Sequence, residues 1–242
     1  MVLVIDLGNT FVKIAVFELD KLFFKKVADY SNWEKELQNI FQKYPKIKNI
    51  VACSVVNRLQ LEELAFLKEY KIHFISSQSH FPFINNYETP ETLGIDRMVL
   101  AAGAVLKYPK QDCLIIDAGT CITYDFITSS GNYLGGAISP GIQLRYKSLH
   151  DYTAKLPLLE PEMPNNQIGR STKNAIHSGV INGVLYEIEN HITAFSANKK
   201  NFIIILTGGD AVFLAKRLKN TIFANSNFLL ESLYHLYQFQ QK

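Results

Sequence analysis

The 242 residues carry a formal charge of +3, from 25 basic and 22 acidic side chains with no basic stripe, so nothing in the charge pattern calls for nucleic acid as a partner. An apolar fraction of 48% with only 8 Pro and 13 Gly excludes a disordered or fibrous chain and allows a large buried core, in one domain or two lobes. The scattered Cys53, Cys113 and Cys121 argue against a disulfide scaffold, no apolar run approaches membrane-span length, and no basic leader precedes the first strand; the expectation is a cytoplasmic protein with no membrane partner.

Val2 to Ile5 is an all-apolar run suited to a strand covered on both faces, and it ends at the turn Asp6-Leu7-Gly8-Asn9-Thr10. Strands are expected over Phe11 to Phe17 and Leu22 to Val27, then a helix over Trp33 to Phe41, a strand over Ile47 to Val55, a helix over Leu59 to Tyr70 and a strand over Ile72 to Ile75. A polar, aromatic loop through Ser76 to Thr92 leads to an Ala- and Leu-rich helix over Arg97 to Leu106. Cys113 to Ile116 opens the same pattern again, closing at Asp117-Ala118-Gly119-Thr120 and followed by strands over Ile122 to Ile127 and Tyr133 to Ile138. Helices are expected over Ile142 to His150, Thr172 to Phe195, Ala211 to Leu218 and Phe228 to Leu236, a strand over Phe202 to Leu206, and a loop over Thr153 to Gln167.

The recurrence is the informative feature. Two acidic glycine-threonine turns each close a buried strand and open another, which implies two lobes of one topology, 1–110 and 111–242, in an α/β architecture with a ligand position in the cleft where the turns can face one another. Backbone amides in such turns can cradle a triphosphate because Gly8 and Gly119 put no Cβ in the way, and Thr10 and Thr120 add hydroxyl donors. Lys13 follows on the next strand as a mobile point charge. Carboxylates beside phosphate repel it unless a cation lies between, so Asp6 and Asp117 are candidates for holding or orienting cations.

Gly94-Ile95-Asp96-Arg97 stands just before the Ala-rich helix. Asp96 is either a helix cap or a carboxylate that accepts the proton of an attacking alcohol, with Arg97 pairing a substrate carboxylate. Gly135-Gly136-Ala137-Ile138-Ser139-Pro140-Gly141 and Thr207-Gly208-Gly209-Asp210 permit close backbone approach, the second leaving a flat surface for an adenine ring or simply turning the chain. Neither the P-loop nor the dinucleotide fingerprint is present, the six histidines have no zinc spacing with the cysteines, and there is no nucleophile-elbow serine.

In their order and spacing these segments resemble the type III pantothenate kinase family of the acetate kinase, sugar kinase, Hsp70 and actin superfamily: Asp6 through Phe11 and Val12 to Lys13, Gly94 to Arg97, Asp117 to Thr120 with Thr123 and Asp125, Gly135 to Gly141, Thr153 to Pro157, Gly169, Ser171 to Ile176, and Thr207 to Ala211. The resemblance implies a two-lobed actin-like (ribonuclease H-like) fold with a duplicated β-β-β-α-β-α-β-α topology. It also implies transfer of the ATP γ-phosphate to the primary hydroxyl of pantothenate, giving 4'-phosphopantothenate, the first step of coenzyme A biosynthesis. By the same likeness Asp96 is the proton acceptor, Asp6, Leu7, Gly8, Asn9, Thr10, Phe11, Val12, Lys13 and Thr120 hold the nucleotide, and Tyr87, Gly94, Ile95 and Arg97 contact pantothenate. Thr172 reaches the site from the partner subunit of a homodimer, Asp117 binds the required monovalent cation, potassium or ammonium, and magnesium travels with ATP. Phe11, Asn57 and Ser171 depart from residues frequent in the family (Asn, Pro and Asn) without removing a catalytic group. The residues by themselves leave open another phosphotransferase or phosphatase of the superfamily, or a non-catalytic nucleotide-binding regulator.

Overall fold

The computed structural model describes residues 1–55, 61, 64–197, 199, 202–218 and 222–242, which form two compact units. The first comprises residues 1–109, 131–133 and 227–242, the second 110–130 and 134–226.

In the first unit β1 (Val2–Leu7), β2 (Phe11–Glu18) and β3 (Lys21–Asp29) form an antiparallel meander, after which α1 (Trp33–Lys43) leads to β4 (Asn49–Ser54). The chain then reaches β5 (Lys71–Phe74). The sheet order is β3-β2-β1-β4-β5, with β4 parallel to β1 and β5 parallel to β4. Central β1 is buried from Leu3 to Leu7, as an unbroken apolar run requires when both sheet faces are covered. On one face α1 contributes Trp33, Leu37 and Ile40, spaced to form a single apolar stripe, to a core with Leu3, Ile5, Leu7 and Val12. The helix expected over Leu59 to Tyr70 begins outside the described residues, as does Asn57; its described part contains the 3-10 turn Ala65–Leu67.

Within the loop expected over Ser76 to Thr92, Ile84–Asn85 (β6) pairs in parallel with Asn132 and Tyr133. The helix expected over Arg97 to Leu106 is α2, Ile95–Lys107, buried at every position from Arg97 to Ala104. The C-terminal helix Phe228–Gln240 groups with this first unit although it is last in the chain. Phe17 and Tyr234 stack with ring centroids 4.6 Å apart, Lys107 Nζ lies 3.2 Å from Glu231 Oε2, and Lys25 Nζ donates to Asn227 Oδ1 at 2.6 Å.

The second unit repeats the plan with β7 (Asp112–Ala118), β8 (Cys121–Ile127), β9 (Asn132–Pro140, within this unit from Leu134), β10 (Phe202–Thr207) and the short β11 (Phe223–Ala224). Its order, β9-β8-β7-β10-β11, matches that of the first sheet strand for strand. As in the first sheet, the second strand is antiparallel to the central one and the next two run parallel. The helices are α3 (Ile142–Asp151), α4 (Thr172–His177), α5 (Gly183–Ser196) and α6 (Ala211–Ala215). The long helix expected over Thr172 to Phe195 is therefore α4 and α5 joined by a π-helical turn, Ser178–Asn182, whose buried Val180 and Ile181 keep the apolar face continuous. The expected α/β class and duplicated topology are present in the two sheets.

Candidate active site

The first acidic turn is built by register. Antiparallel pairing sets Asp6 opposite Lys13, and parallel pairing sets Asp6 opposite Cys53, so a carboxylate at the end of the central strand has a cation on one side and a thiol on the other. Asp6 is only 2% exposed; its Oδ2 lies 3.2 Å from Lys13 Nζ and its Oδ1 accepts from Cys53 Sγ at 3.5 Å. Burial, followed by the charges of Asp6 and Asp96 and the hydrogen bond to Asp6, pushes the Cys53 thiol well above its usual range; it remains a protonated donor. The turn is closed by the Gly8 N–H donating to the Phe11 carbonyl at 3.1 Å, and the Gly8 carbonyl accepts from the Tyr30 hydroxyl at 2.6 Å. Asn9, Thr10 and Phe11 are exposed at its tip, whereas Leu7 and Val12 are fully buried and frame it.

Asp96 belongs to the same electrostatic neighbourhood. Burial raises its carboxyl pKa, the Arg97 N–H donating at 2.9 Å partly offsets this, and the nearby charge of Asp6 pushes it further up against the pull of Arg97 and Lys13. It is not a helix cap: Gly94 holds the N-cap position and Asp96 lies in the first turn. A Cβ on Gly94 would stand 2.5 Å from Asp96 Oδ1, so the glycine is what lets the carboxylate fold back over the helix start. Buried Arg97 lies over the Tyr87 ring, 5.7 Å from guanidinium carbon to centroid, and Tyr87 in turn neighbours the fully buried Tyr133 at 6.1 Å. A cavity of about 350 Å³ opens beside Gly94 and Ile95, walled by Ser54, Val55, Ile75 and Ser76. Of the expected residues of this unit, Asp6, Lys13 and Asp96 thus share one field, and Tyr87 and Arg97 form a cation-π pair at the helix start.

The second turn lies in the other unit. Gly119 N–H donates to Cys121 O at 2.9 Å, repeating the Gly8 to Phe11 closure, and Gly141 N–H donates to Thr120 O at 3.1 Å. Asp117 is paired in register with Thr123 on β8 and with Thr207 on β10. Gly208 has φ +94°, and a Cβ there would meet Ala118 O at 2.2 Å and Asp117 Oδ1 at 2.4 Å, so only glycine lets the backbone close over that carboxylate. Asp210 donates its N–H to Ala118 O at 3.0 Å, and burial raises its carboxyl pKa. A Cβ on Gly119, by contrast, would meet no described atom closer than 3.9 Å, so packing does not account for that glycine. The oxygens gathered here, the Asp117 carboxylate and the buried Thr123 Oγ1 that has no hydrogen-bond partner among the described residues, have the hard-donor chemistry that alkali and alkaline-earth cations take. Among the described residues no cluster of three or more His, Cys, Asp or Glu is placed to hold a metal.

Behind Thr120, Arg145 ties the segment 139–141 in place: it donates to Pro140 O at 2.8 Å, to Ser139 Oγ at 2.7 Å and to Glu187 Oε2 at 2.5 Å, while Tyr124 donates to Glu187 Oε1 at 2.8 Å. Thr172 is exposed at the start of α4 and lines a separate cavity of about 610 Å³ with Arg145, Leu149, Leu156, Ile176 and Val180. Cys53, Tyr30 and the Arg145–Glu187 pair carry no motif; strand register could have pointed to Cys53, but only once the sheet order is known.

Two sheets of one strand order, each with a central strand ending in an acidic glycine-threonine turn, define the actin-like α/β fold. Among solved structures the chain is similar to MreB5 of Spiroplasma citri bound to ADP, with TM-score 0.51 and 12% identity over 99% of this chain and 97% of that one. It is also similar to a Baf family protein of Campylobacter jejuni, with TM-score 0.62 and 24% identity over 99% and 98%. Residues 2–194 match the family model for type III pantothenate kinase. A type III pantothenate kinase of Flavobacterium johnsoniae is 56% identical over 240 residues, 99% of this chain and 98% of the relative. The chain belongs to the type III pantothenate kinase family, its activity is that of a pantothenate kinase, and a kinase of this family works with ATP and a divalent metal.

Proposed function

We propose that Asp96 is the general base of this kinase, with ATP held by the turn from Asp6 to Lys13 and by Thr120, and pantothenate by Tyr87, Gly94, Ile95 and Arg97. The observation that carries the reading is the placement of Asp96: a half-buried carboxylate at a rigid helix start, within the electrostatic reach of both Asp6 and Lys13 and one residue from a buried guanidinium. The alcohol proton of pantothenate passes to Asp96 as its oxygen bonds to the γ-phosphorus and the bond to the β-phosphate oxygen breaks, leaving ADP. A carboxylate suffices as base because phosphoryl transfer is dominated by alignment and charge neutralisation. Lys13 offers positive charge to the phosphates, and the divalent ion carried by the nucleotide neutralises charge that builds on them. Arg97, held over Tyr87, offers a fork suited to the pantothenate carboxylate, and the cavity beside Gly94 offers the adjoining space.

Asp117, with Gly208 closed over it and Thr123 opposite, is the proposed seat of a monovalent cation, potassium or ammonium. Thr172, exposed at a helix start, is proposed to reach the pantothenate site of a partner subunit in a homodimer. No helix among the described residues is long and apolar enough to cross a membrane, which is compatible with the proposed place of work in the cytoplasm.

The test is formation of 4'-phosphopantothenate from ATP, magnesium and pantothenate, compared in potassium and in sodium. Product that requires pantothenate and rises with potassium supports the reading. ATP hydrolysis independent of pantothenate would contradict it.

A further inference from the structure

The Tyr30 hydroxyl donates to the Gly8 carbonyl at 2.6 Å, across 22 residues of chain. Pairing of Phe11 with Asp29 brings the end of β3 alongside the turn end of the β1–β2 hairpin, and Tyr30 is the next residue. Its ring is half-buried and packs on the core that includes Leu7 and Val12, so the hydroxyl is presented from a fixed body and not from a mobile side chain.

A trans peptide unit points its C=O and its N–H in opposite directions. Holding the Gly8 carbonyl on the Tyr30 side therefore turns the Asn9 N–H to the other side, at the exposed tip of the turn. The Gly8 N–H is already committed to Phe11 O, which makes the Asn9 N–H the next donor in the turn. We infer that Tyr30 is a positioning residue for phosphoryl transfer: it sets the plane of the Gly8–Asn9 peptide so that the Asn9 amide is aimed at the nucleotide's phosphates before the nucleotide arrives. The inference rests on the proposed role of this turn in binding ATP. The donor persists through the working pH range, because burial and the charge of Asp6 raise the phenol's pKa.

The experiment compares wild type, Tyr30→Phe and Lys13→Ala for KM toward ATP, KM toward pantothenate, ATP affinity by calorimetry without pantothenate, and the thermal midpoint. Tyr30→Phe keeps the ring and removes one donor, so KM and Kd for ATP should rise about 3- to 10-fold, the range of one hydrogen bond, with KM for pantothenate and the midpoint nearly unchanged. A rise for Lys13→Ala with no change for Tyr30→Phe overturns the role of Tyr30 and leaves the phosphate turn standing. No change in either variant overturns both. A lowered midpoint in Tyr30→Phe with both KM values unchanged assigns Tyr30 to stability alone and likewise overturns the inference.

Discussion

Lys13 Nζ stands 3.2 Å from Asp6 Oδ2, directly across the β1–β2 pair, with the lysine 30% exposed and the aspartate 2%. The burial is asymmetric, so the accessible member of the pair is the cation, placed where a phosphate can compete for it. Lys13→Ala removes that charge and leaves the Cys53 thiol as the hydrogen-bond partner of Asp6 among the described residues. KM for ATP is expected to rise roughly 10- to 100-fold, the scale of a hydrogen bond to a charged group, and the thermal midpoint to fall because a buried carboxylate has lost its counter-charge. Steady-state kinetics and a melting curve on one preparation measure both, and an unchanged KM would remove Lys13 from the nucleotide site.

Asp96 links the site to stability through pH. Its pKa in the folded protein is raised, chiefly by burial, above the unfolded value. The unfolded chain therefore releases this proton first as pH rises, and the stability associated with the neutral form, full below the unfolded pKa, is lost as pH climbs through the folded one. Asp96→Asn cannot ionise, so its melting midpoint should exceed that of wild type at neutral pH and converge on it in acid. Midpoints that differ equally at all pH values would deny that Asp96 is buried as a titrating acid.

Asp117 and Gly208 make a second, independent prediction. Asp117→Ala should abolish activation by potassium. Gly208→Ala should do the same by a different route, since the new Cβ meets Ala118 O and Asp117 Oδ1 and the backbone sits at φ +94°; a loss of about 1–3 kcal/mol of stability should accompany it. Initial rates titrated with potassium chloride decide the matter, and a wild-type potassium response in Asp117→Ala would refute the assignment.

The Arg145–Glu187 pair should behave as a brace. Burial tends to raise the Glu187 pKa, but hydrogen bonds from Arg145, Tyr124 and Ser139 outweigh it and the net shift is downward. Stability from the ionised form is then present above the unfolded pKa and lost as pH falls through the folded one. Glu187→Gln should lower the melting midpoint by several degrees at neutral pH, with the difference closing in acid. A difference that persists in acid would mean that lost packing, and not charge, is responsible.

What the residues disclosed in advance depends on how local each feature is. The strands β1, β2, β7 and β8 are legible because apolar runs are interrupted by acidic glycine-threonine turns, and the duplicated sheet follows from seeing that pattern twice. Two-residue strands such as Ile84–Asn85 and Phe223–Ala224 have no periodicity to read, and the π-helical turn at Ser178–Asn182 is invisible because apolar residues continue through it. The C-terminal helix groups with the first unit through contacts such as Phe17 with Tyr234, which no spacing announces. The motif residues Asp6, Lys13, Asp96 and Arg97 were visible, but the partners that orient them were not. Cys53 reaches Asp6 only through the register of β4 on β1, and Tyr30 reaches Gly8 only through the register of β3 on β2.

The central claim is that Asp96 takes the proton of the attacking alcohol while the turn at Asp6 to Lys13 holds ATP. Asp96→Asn separates the two roles most directly when turnover and ATP affinity are measured on the same sample. The account predicts kcat lowered by roughly 10²- to 10⁴-fold with ATP affinity nearly intact. Undiminished turnover in Asp96→Asn would contradict it.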